Sequence, residues 1–367
     1  MKRLRVELGD RSYPVIVGEG VLEHAGELLR RAGFSTAPIV VSSDRVLGLH
    51  GRRLLGSLER AFSKCPVIRI GDGERFKNHQ TLAMLYRELL RAGADRRSWI
   101  VAFGGGVTGD VAGFAAATYM RGIRYVHVPT TLLGQVDSSI GGKVGINLRQ
   151  GKNLIGAFHQ PSAVLADTAV LQTLPARELA SGLFEVVKCG AIRSRPLLAY
   201  LEKNLDRVGG CRSDALEHVV ASAARIKADV VSRDEREGGL RMILNYGHTV
   251  GHALEAATRY RRFTHGEAVG WGMLACVGFG QQLGALTGAE AGRLSALIRR
   301  VAPLPALEGI RCGSLWAALA RDKKFDSGRI RMVLLRRLGE AIVRNDIEPA
   351  RLRRFLSGFL AARGEWS

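Results

Sequence analysis

The sequence predicts an α/β N-terminal domain over residues 1–170, followed by a mostly α-helical domain over residues 171–367. Two observations support this division. Short apolar runs alternate with helical segments through roughly the first 130 residues, which is typical of parallel βαβ units. Beyond residue 171 the apolar residues instead recur every three to four positions, as in helices. A chain of 367 residues is long enough to bury two such cores.

Each predicted strand of the first domain is a short apolar or alternating run, and helices separate most of these strands. Gly33 is a typical stop for the first helix. The strands are predicted at 2–8, 12–17, 38–42, 66–70, 99–103 and 124–128, with helices at 20–32, 47–62, 78–91 and from the glycines after residue 103 to residue 117.

The second domain is predicted to be helical almost throughout, with one short strand at 330–335. The helices are predicted at 175–190, 196–204, 213–232, 243–258, 266–285, 290–301, 313–321 and 349–362.

Composition excludes several classes of protein. No run of about 18 apolar residues occurs, and the N-terminus lacks an apolar signal core, so we expect no membrane segment. Five cysteines without a CxxC pair indicate a reducing, cytoplasmic location. The net charge of +20 is spread along the chain and aromatic residues make up 6%, so we expect no nucleic-acid partner. The charge would instead attract an anionic substrate.

Lysine is rare in this chain, because Lys and Arg total 54 and only ten of them are lysines. Where lysine persists inside a glycine- or aspartate-rich motif, a compact ammonium group is expected to have a role that a planar guanidinium would not fill. The lysines in such contexts are Lys77, Lys143, Lys152, Lys188, Lys227, Lys323 and Lys324.

Three of the nine histidines fall in the stretch Arg241–Glu267. His248 and His252 are four residues apart and so share one helical face. His265 follows a basic turn and can fold back on the same pocket. Imidazoles with a nearby carboxylate, here Glu255, are the usual composition of a zinc site. Spacing alone favours His248 and His252 as the pair of ligands.

Gly104, Gly106 and Gly109 form a GxGxxG pattern between an apolar strand and a helix, with Gly105 inside it. Glycines in this context let backbone N–H groups approach a pyrophosphate at the helix N-terminus, which predicts a dinucleotide site. The acidic residue expected about 20 positions later is missing, so an ordinary Rossmann dehydrogenase is not indicated. Asp44 and Glu74 are alternatives for the ribose hydroxyls.

The segment 129–160 is too polar and glycine-rich for a core, and it brings four polar candidates together between the two domains. These are Asp137, Lys143, Lys152 and Asn153. Ligands usually bind in clefts between domains, so we expect the active site there. Glu185 lies in an apolar helix three residues before Lys188, and an uncompensated carboxylate there would be costly.

Nearly the whole chain resembles the 3-dehydroquinate synthase family. The resemblance is carried by ordered motifs, which are DGERFK, GGGVTGD, YMRGI, PTTLLGQVDSSIGGK, GKNLIGAF, TLPARE, GLFEVVK, IKADVVSRDERE, LNYGHTVGHALE, HGEAVGWGM and DKK. It implies an NAD-binding α/β domain, a helical metal- and substrate-binding domain, and a homodimer. The implied reaction converts 3-deoxy-D-arabino-heptulosonate 7-phosphate, an anionic sugar phosphate, to 3-dehydroquinate and phosphate. NAD would act catalytically, with Zn²⁺ or alternatively Co²⁺ as the metal.

The resemblance also implies roles for individual residues. Metal ligands would be Glu185, His248 and His265, so that His252 becomes a proton carrier and Glu255 a structural residue. The other implied catalytic residues are Lys143, Lys188, Lys227, Glu237 and Arg241. Substrate contacts would be Arg121, Asp137, Asn153, Asn245 and Lys324 or its neighbour Lys323. NAD would contact Asp72, Glu74, Lys77, Gly104, Gly105, Gly106, Asp110, Thr130, Thr131, Lys143, Lys152 and Thr173.

Three other functions remain open from the sequence. A related cyclase acting on another heptulose phosphate would share the zinc and NAD motifs. A metal-dependent polyol dehydrogenase would also carry a glycine turn and histidine ligands, but it would accumulate NADH. A non-enzymatic basic scaffold would bind polyanions whether or not metal is present.

Overall fold

The computed structural model describes residues 1–148, 150–321, 325–326 and 329–365. The chain forms two compact units. The first contains Met1–Pro175 and Cys211–Arg236, and the second contains Ala176–Gly210 and Glu237–Ser367. The chain therefore passes between the units three times, whereas the sequence predicted a single boundary at residue 170. Helical periodicity does not tell which core a helix covers, and residues 211–236 turn out to pack with the first unit.

The described residues include thirteen α-helices, some of them single turns. In chain order they are α1 (Ala25–Arg31), α2 (Asp44–Val46), α3 (Arg52–Phe62), α4 (His79–Arg91), α5 (Gly106–Thr118), α6 (Ala176–Arg193), α7 (Arg195–Gly209), α8 (Ser213–Arg233), α9 (His248–Ala257), α10 (His265–Gln282), α11 (Gly288–Val301), α12 (Cys312–Arg321) and α13 (Pro349–Ala361). Nearly all predicted helices are confirmed. The segment 243–258 is the exception, because its first part is a 3₁₀ turn, Leu240–Asn245.

The described strands of the first unit are β1 (Lys2–Val6), β2 (Tyr13–Gly18), β3 (Ile39–Ser42), β4 (Val67–Arg69), β5 (Trp99–Gly104), β6 (Arg124–Pro129), β7 (Lys143–Leu148), β8 (Gly151–Phe158) and β9 (Ala163–Asp167). Seven of them form a sheet in the order β1-β2-β9-β6-β5-β3-β4. Only β1 and β2 pair antiparallel within it. The predicted parallel α/β architecture is confirmed.

Three strands of the first unit were not predicted. Strand β9 is buried on both faces, so it shows no alternation of apolar and polar residues. Strands β7 and β8 pair as an antiparallel hairpin. Their alternation is hidden by glycines, since a Cβ atom on Gly145 would lie 2.4 Å from the carbonyl oxygen of Ile155.

In the second unit, the helices are accompanied by a sheet of β10 (Phe325–Asp326), β11 (Arg329–Arg337) and β12 (Glu340–Ile347). The sequence predicted only 330–335 of it. Strand β12 has few fully buried residues, which removes the apolar signal. By contrast, α6 and α10 are buried along most of their length and form the core on which the site is built.

Among the helices that the structure describes, none is long and apolar enough to cross a membrane. All five cysteines are free thiols.

Candidate active site

A buried carboxylate lies at the centre of the second unit. Glu185 and Lys188 are on α6, with side chains that are each 1% exposed, and Lys188 Nζ forms an ion pair with Glu185 Oε2. The other oxygen, Glu185 Oε1, has no hydrogen-bond partner among the described residues. An unsatisfied buried carboxylate oxygen is costly, which points to a cation as its partner.

Two histidines face that oxygen. The Nε2 atoms of His248 and His265 each lie 3.6 Å from Glu185 Oε1. Two donors held at about 2.0–2.2 Å by one tetrahedral zinc ion are separated by about 3.3–3.6 Å, so the distance from Glu185 to each histidine is compatible with a shared metal ion. His252 adjoins them: one ring nitrogen from each of His248, His252 and His265 lies within 4.8 Å of the others.

The ring nitrogens that face away from Glu185 are fixed by other groups. His248 Nδ1 donates to the carbonyl oxygen of Tyr246 at 3.1 Å. His265 Nδ1 lies 3.4 Å from Glu255 Oε2. With the proton on Nδ1, both Nε2 atoms carry the lone pair that a metal requires. Burial, and then the nearby Lys188 ammonium, lower the pKa of His248 well below its usual range, which keeps this ring neutral.

The two histidines meet because α9 and α10 pack unusually closely. A Cβ atom on Gly272 would lie 1.8 Å from the carbonyl oxygen of Gly247, and one on Gly251 would lie 2.9 Å from that of Ala268. Both histidines occupy the first position of their helices. Helix α10 starts at a capping box between Thr264 and Glu267, which fixes where the helix begins.

In the same unit, the predicted residues Glu237 and Asn245 contact each other. Asn245 Nδ2 donates to Glu237 Oε1 at 2.7 Å. Glu237 has a φ of +62°, a left-handed conformation that is uncommon for a residue with a side chain. Arg241, between them in sequence, is 2% exposed, so its guanidinium group is a buried positive charge in the same unit.

The first unit contains the predicted glycine turn between β5 and α5. A Cβ atom on Gly104 would lie 2.4 Å from Thr108 Oγ1, and one on Gly105 would lie 2.9 Å from Thr131 Cγ2. Thr130 N donates to the carbonyl oxygen of Gly104 at 3.0 Å. The turn, including Gly106 as the first residue of α5, is therefore tight and supported by the two predicted threonines.

Lys77 contacts one predicted NAD-binding residue and one predicted substrate-binding residue. It is 5% exposed, and its Nζ forms an ion pair with Asp110 and a hydrogen bond with Asn153 Oδ1. Asn147, which was not predicted, donates to Glu74 Oε1 at 2.7 Å, and its own Oδ1 accepts from Asn153 N at 2.8 Å. The segments around residues 74–77 and 147–153 are thus held together.

Lys227 and Asp137 form a second predicted cluster in the first unit. Lys227 Nζ donates to the backbone oxygen of Asp137 at 2.7 Å and to its Oδ1 at 2.5 Å. The sequence assigned Lys227 to the helical domain, but α8 carries it into the first unit.

Several other predicted site residues are exposed or half-buried. Asp72, Arg121 and Lys143 are exposed, and Lys152 is half-buried. Thr173 Oγ1 lies 2.8 Å from His50 Nε2, a histidine that was not predicted. Lys323 and Lys324 lie outside the described residues.

His127 is a buried group on strand β6 that the sequence did not indicate, since no local pattern distinguishes its position from others on the strand. Its Nε2 has no hydrogen-bond partner among the residues described. A Cβ atom on Gly109 would lie 1.9 Å from the ring, so the first turn of α5 rests directly on it. Burial lowers the pKa of His127 to about 4, opposed by a hydrogen bond to the Gly104 backbone.

Comparison with known proteins identifies the family. The profile described as 3-dehydroquinate synthase N-terminal matches residues 67–181, and the one described as 3-dehydroquinate synthase C-terminal matches residues 182–325. The chain belongs to the 3-dehydroquinate synthase family. A relative named 3-dehydroquinate synthase from Pelotomaculum thermopropionicum is 49% identical, over 97% of this chain and 96% of its own. One from Pseudomonas fluorescens is 46% identical, over 94% of each chain.

Solved structures of related cyclases have the same fold. A 2-epi-5-epi-valiolone synthase from Streptomyces hygroscopicus, solved with NAD⁺ and Zn²⁺, matches with a TM-score of 0.87 and 31% identity, over 96% of this chain and 97% of its own. A 2-deoxy-scyllo-inosose synthase, solved with carbaglucose-6-phosphate, NAD⁺ and Co²⁺, matches with a TM-score of 0.86 and 28% identity. The match covers 97% of this chain and 99% of the synthase.

Replacing Gly272 with alanine is expected to separate α9 from α10, because the new Cβ atom would lie 1.8 Å from the Gly247 carbonyl oxygen. We expect a loss of about 1–3 kcal/mol in the free energy of unfolding, measured by chemical denaturation, together with weaker zinc binding. Gly280→Ala, on the same helix, is the matched control, since its Cβ atom would be 3.8 Å from the nearest atom. That variant should be as stable as the original protein or more stable. Equal effects of the two substitutions would contradict the packing argument.

His127 predicts a pH dependence of stability. Between its unfolded pKa of 6.5 and its folded pKa of about 4, the unfolded chain binds a proton that the folded chain does not, so acidification destabilises the fold. At pH 5 the cost is about 2 kcal/mol. In His127→Gln, the loss of unfolding free energy between pH 7 and pH 5 should shrink by about that amount. Urea denaturation of metal-free protein measures it, and an unchanged loss would refute the assignment.

Proposed function

We propose that this protein is a 3-dehydroquinate synthase, a phosphate-eliminating carbon–oxygen lyase of the shikimate pathway of aromatic amino-acid biosynthesis. It would convert 3-deoxy-D-arabino-heptulosonate 7-phosphate to 3-dehydroquinate and phosphate. The observation that carries the proposal is the unsatisfied oxygen of Glu185 facing Nε2 of both His248 and His265. Its support from outside the structure is the 49% identity to a relative of that name.

A divalent metal would be held by Glu185, His248 and His265. Two histidines and one carboxylate are a typical catalytic zinc set, which leaves coordination positions for substrate oxygens. When bound, the metal supplies Lewis acidity for an alcohol and for the negative charge that develops beside a carbonyl group. Zn²⁺ suits this donor set, and Co²⁺ is an alternative.

NAD would be held by the first unit, with its pyrophosphate at the Gly104–Gly106 turn. Bound NAD supplies a reversible hydride acceptor, which allows one hydroxyl group to be oxidised and later restored. The Lys77–Asp110–Asn153 contacts would order the neighbouring loop, and Glu74 would lie near the ribose. Holding the dinucleotide rigidly shortens the distance of hydride transfer and aligns the reacting groups.

Protein groups around the metal residues would bind the anions and move protons. Lys188 and Arg241 are buried cations, 1% and 2% exposed, suited to a carboxylate or phosphate group. His252 is exposed, whereas His248, one helical turn earlier, is buried. It is therefore placed to exchange a proton with solvent without serving as a ligand.

Sequence identity and the charge of the substrate favour this function over the alternative enzymes. The solved relatives acting in other cyclase reactions are 28–31% identical, well below the 46–49% of the relatives named 3-dehydroquinate synthase. A substrate that carries both a carboxylate and a phosphate explains the several lysines and arginines. Glycerol dehydrogenase from Schizosaccharomyces pombe, at 17% identity, shares the fold alone.

We also propose that the enzyme is a cytoplasmic homodimer. The hairpin strand β8 exposes large apolar side chains: Leu154 is 60% exposed, Ile155 40% and Phe158 46%. A cluster of this kind on a surface is typical of a protein interface, and a second copy of the chain is the partner proposed here.

Turnover should require both NAD and metal. We expect phosphate and 3-dehydroquinate to form from the heptulosonate phosphate without net NADH, and a chelator to stop the reaction. His265→Ala should lose metal and activity together, while Lys143→Ala should lose at least 100-fold in kcat and keep its metal, because no metal contact is assigned to Lys143. Coupled phosphate release and metal analysis measure both. Full metal content and turnover in His265→Ala would refute the site.

The dimer is tested by adding charge to the hairpin. Leu154→Glu is expected to shift the particle from dimer to monomer in light scattering, because an ionised carboxylate cannot be buried unpaired in an interface. Leu90→Glu is the matched control, since Leu90 is 64% exposed but lies on α4 and not on the hairpin. A monomeric original protein, or a dimer that both variants leave intact, would contradict this interface.

A further inference from the structure

A second buried carboxylate lies next to His265, one of the proposed metal ligands. Glu255 is on α9 and 3% exposed, and its Oε2 lies 3.4 Å from Nδ1 of His265. Spacing placed it near the histidines as a possible zinc-site carboxylate, and the family resemblance then left it a structural role. A carboxylate at this position of a histidine ligand fixes the ring and raises the basicity of the opposite nitrogen.

The two histidine ligands are held in different ways. His248 is 7% exposed, and its Nδ1 donates to a backbone carbonyl group that cannot rotate away. The side chain of His265 is 29% exposed, and the residue is the first of its helix. Packing therefore restrains the His265 ring less, so its orientation depends more on the hydrogen bond to Glu255.

The negative charge of Glu255 is the second way in which this residue would affect the metal site. The negative charge of Glu185 is already neutralised in part by Lys188, which is equally buried. A dication held by Glu185 and two neutral imidazoles would leave excess positive charge in a region that water reaches poorly. The carboxylate of Glu255, transmitted through His265, offsets part of that excess.

We propose that Glu255 is a positioning residue that sets the metal affinity of the site, by fixing the tautomer and orientation of His265 and by adding a second negative charge behind it. The proposal rests on the proposed function, because it concerns the same metal site.

The test is the affinity for Zn²⁺, measured by competition with a chromophoric chelator on the full-length protein. Glu255→Gln keeps the shape and an acceptor oxygen but removes the charge, so the affinity should fall about 10-fold. Glu255→Ala removes both, and the fall should approach about 100-fold. The absorption spectrum of bound Co²⁺ should change in both variants, which reports the ligand geometry directly.

Glu290→Gln is the matched control. Glu290 is the capping-box residue of α11, and the same substitution there changes a structural carboxylate. It should leave zinc affinity within about twofold of the original value. Because the effect of Glu255 passes through His265, the spectrum of bound Co²⁺ should change in Glu255→Ala and stay unchanged in Glu290→Gln.

Unchanged zinc affinity in Glu255→Ala would overturn the proposal. So would a loss of affinity in Glu255→Ala with an unchanged spectrum of bound Co²⁺, since that would mean a general structural role. If the original protein binds no metal, the proposed function fails as well; if it binds metal tightly and Glu255→Ala binds equally tightly, only this inference fails.

Discussion

The close contact between α9 and α10 is the constraint on which the metal site depends. Gly272 lies where any side chain would overlap the backbone of Gly247, so the two helix axes approach to a distance that larger residues prohibit. The first residues of these helices are His248 and His265, and the approach of the backbones brings their rings to face one carboxylate oxygen. The site geometry thus follows from a backbone contact, and the ligands themselves supply little of the force that assembles it.

The energetic cost of the site is concentrated in α6. Burying Glu185 at 1% exposure removes its hydration, and Lys188 compensates only one of its two oxygens. The ion pair alone is weak evidence for stability, because desolvation of two charges offsets their attraction. A metal ion at Oε1 would complete the compensation. Metal binding and the stability of the second unit are therefore expected to rise together.

The sequence predicted the parts of the fold whose signal is local. Strand and helix alternation predicted the parallel architecture and the positions of six of the seven strands of the large sheet along the chain. The glycine turn after β5 was recognised from its pattern. The fully buried β9 and the glycine-rich β7–β8 hairpin were not, since neither shows a period of two. Spacing alone paired His248 with His252; the inclusion of Glu185 and His265 came from the family resemblance. Spacing indicated Glu255 as a carboxylate near the histidines, and the family resemblance reduced it to a structural residue. Its contact with His265 and the burial of His127 are tertiary features, which no local pattern reports.

Backbone strain offers an independent indication of where function outweighs stability. Nine described residues other than glycine have a positive φ, and three of them, Arg121, Asn153 and Glu237, had been predicted as site residues. A left-handed conformation costs a residue with a Cβ atom about 1–2 kcal/mol. Glycine would remove this cost, and strain of this kind at predicted site residues supports the hypothesis that their side chains have a function. For Glu237 the side chain also has a defined partner, Asn245, at 2.7 Å. A strained backbone and a fixed carboxylate together favour an acid–base role for Glu237 over a structural one.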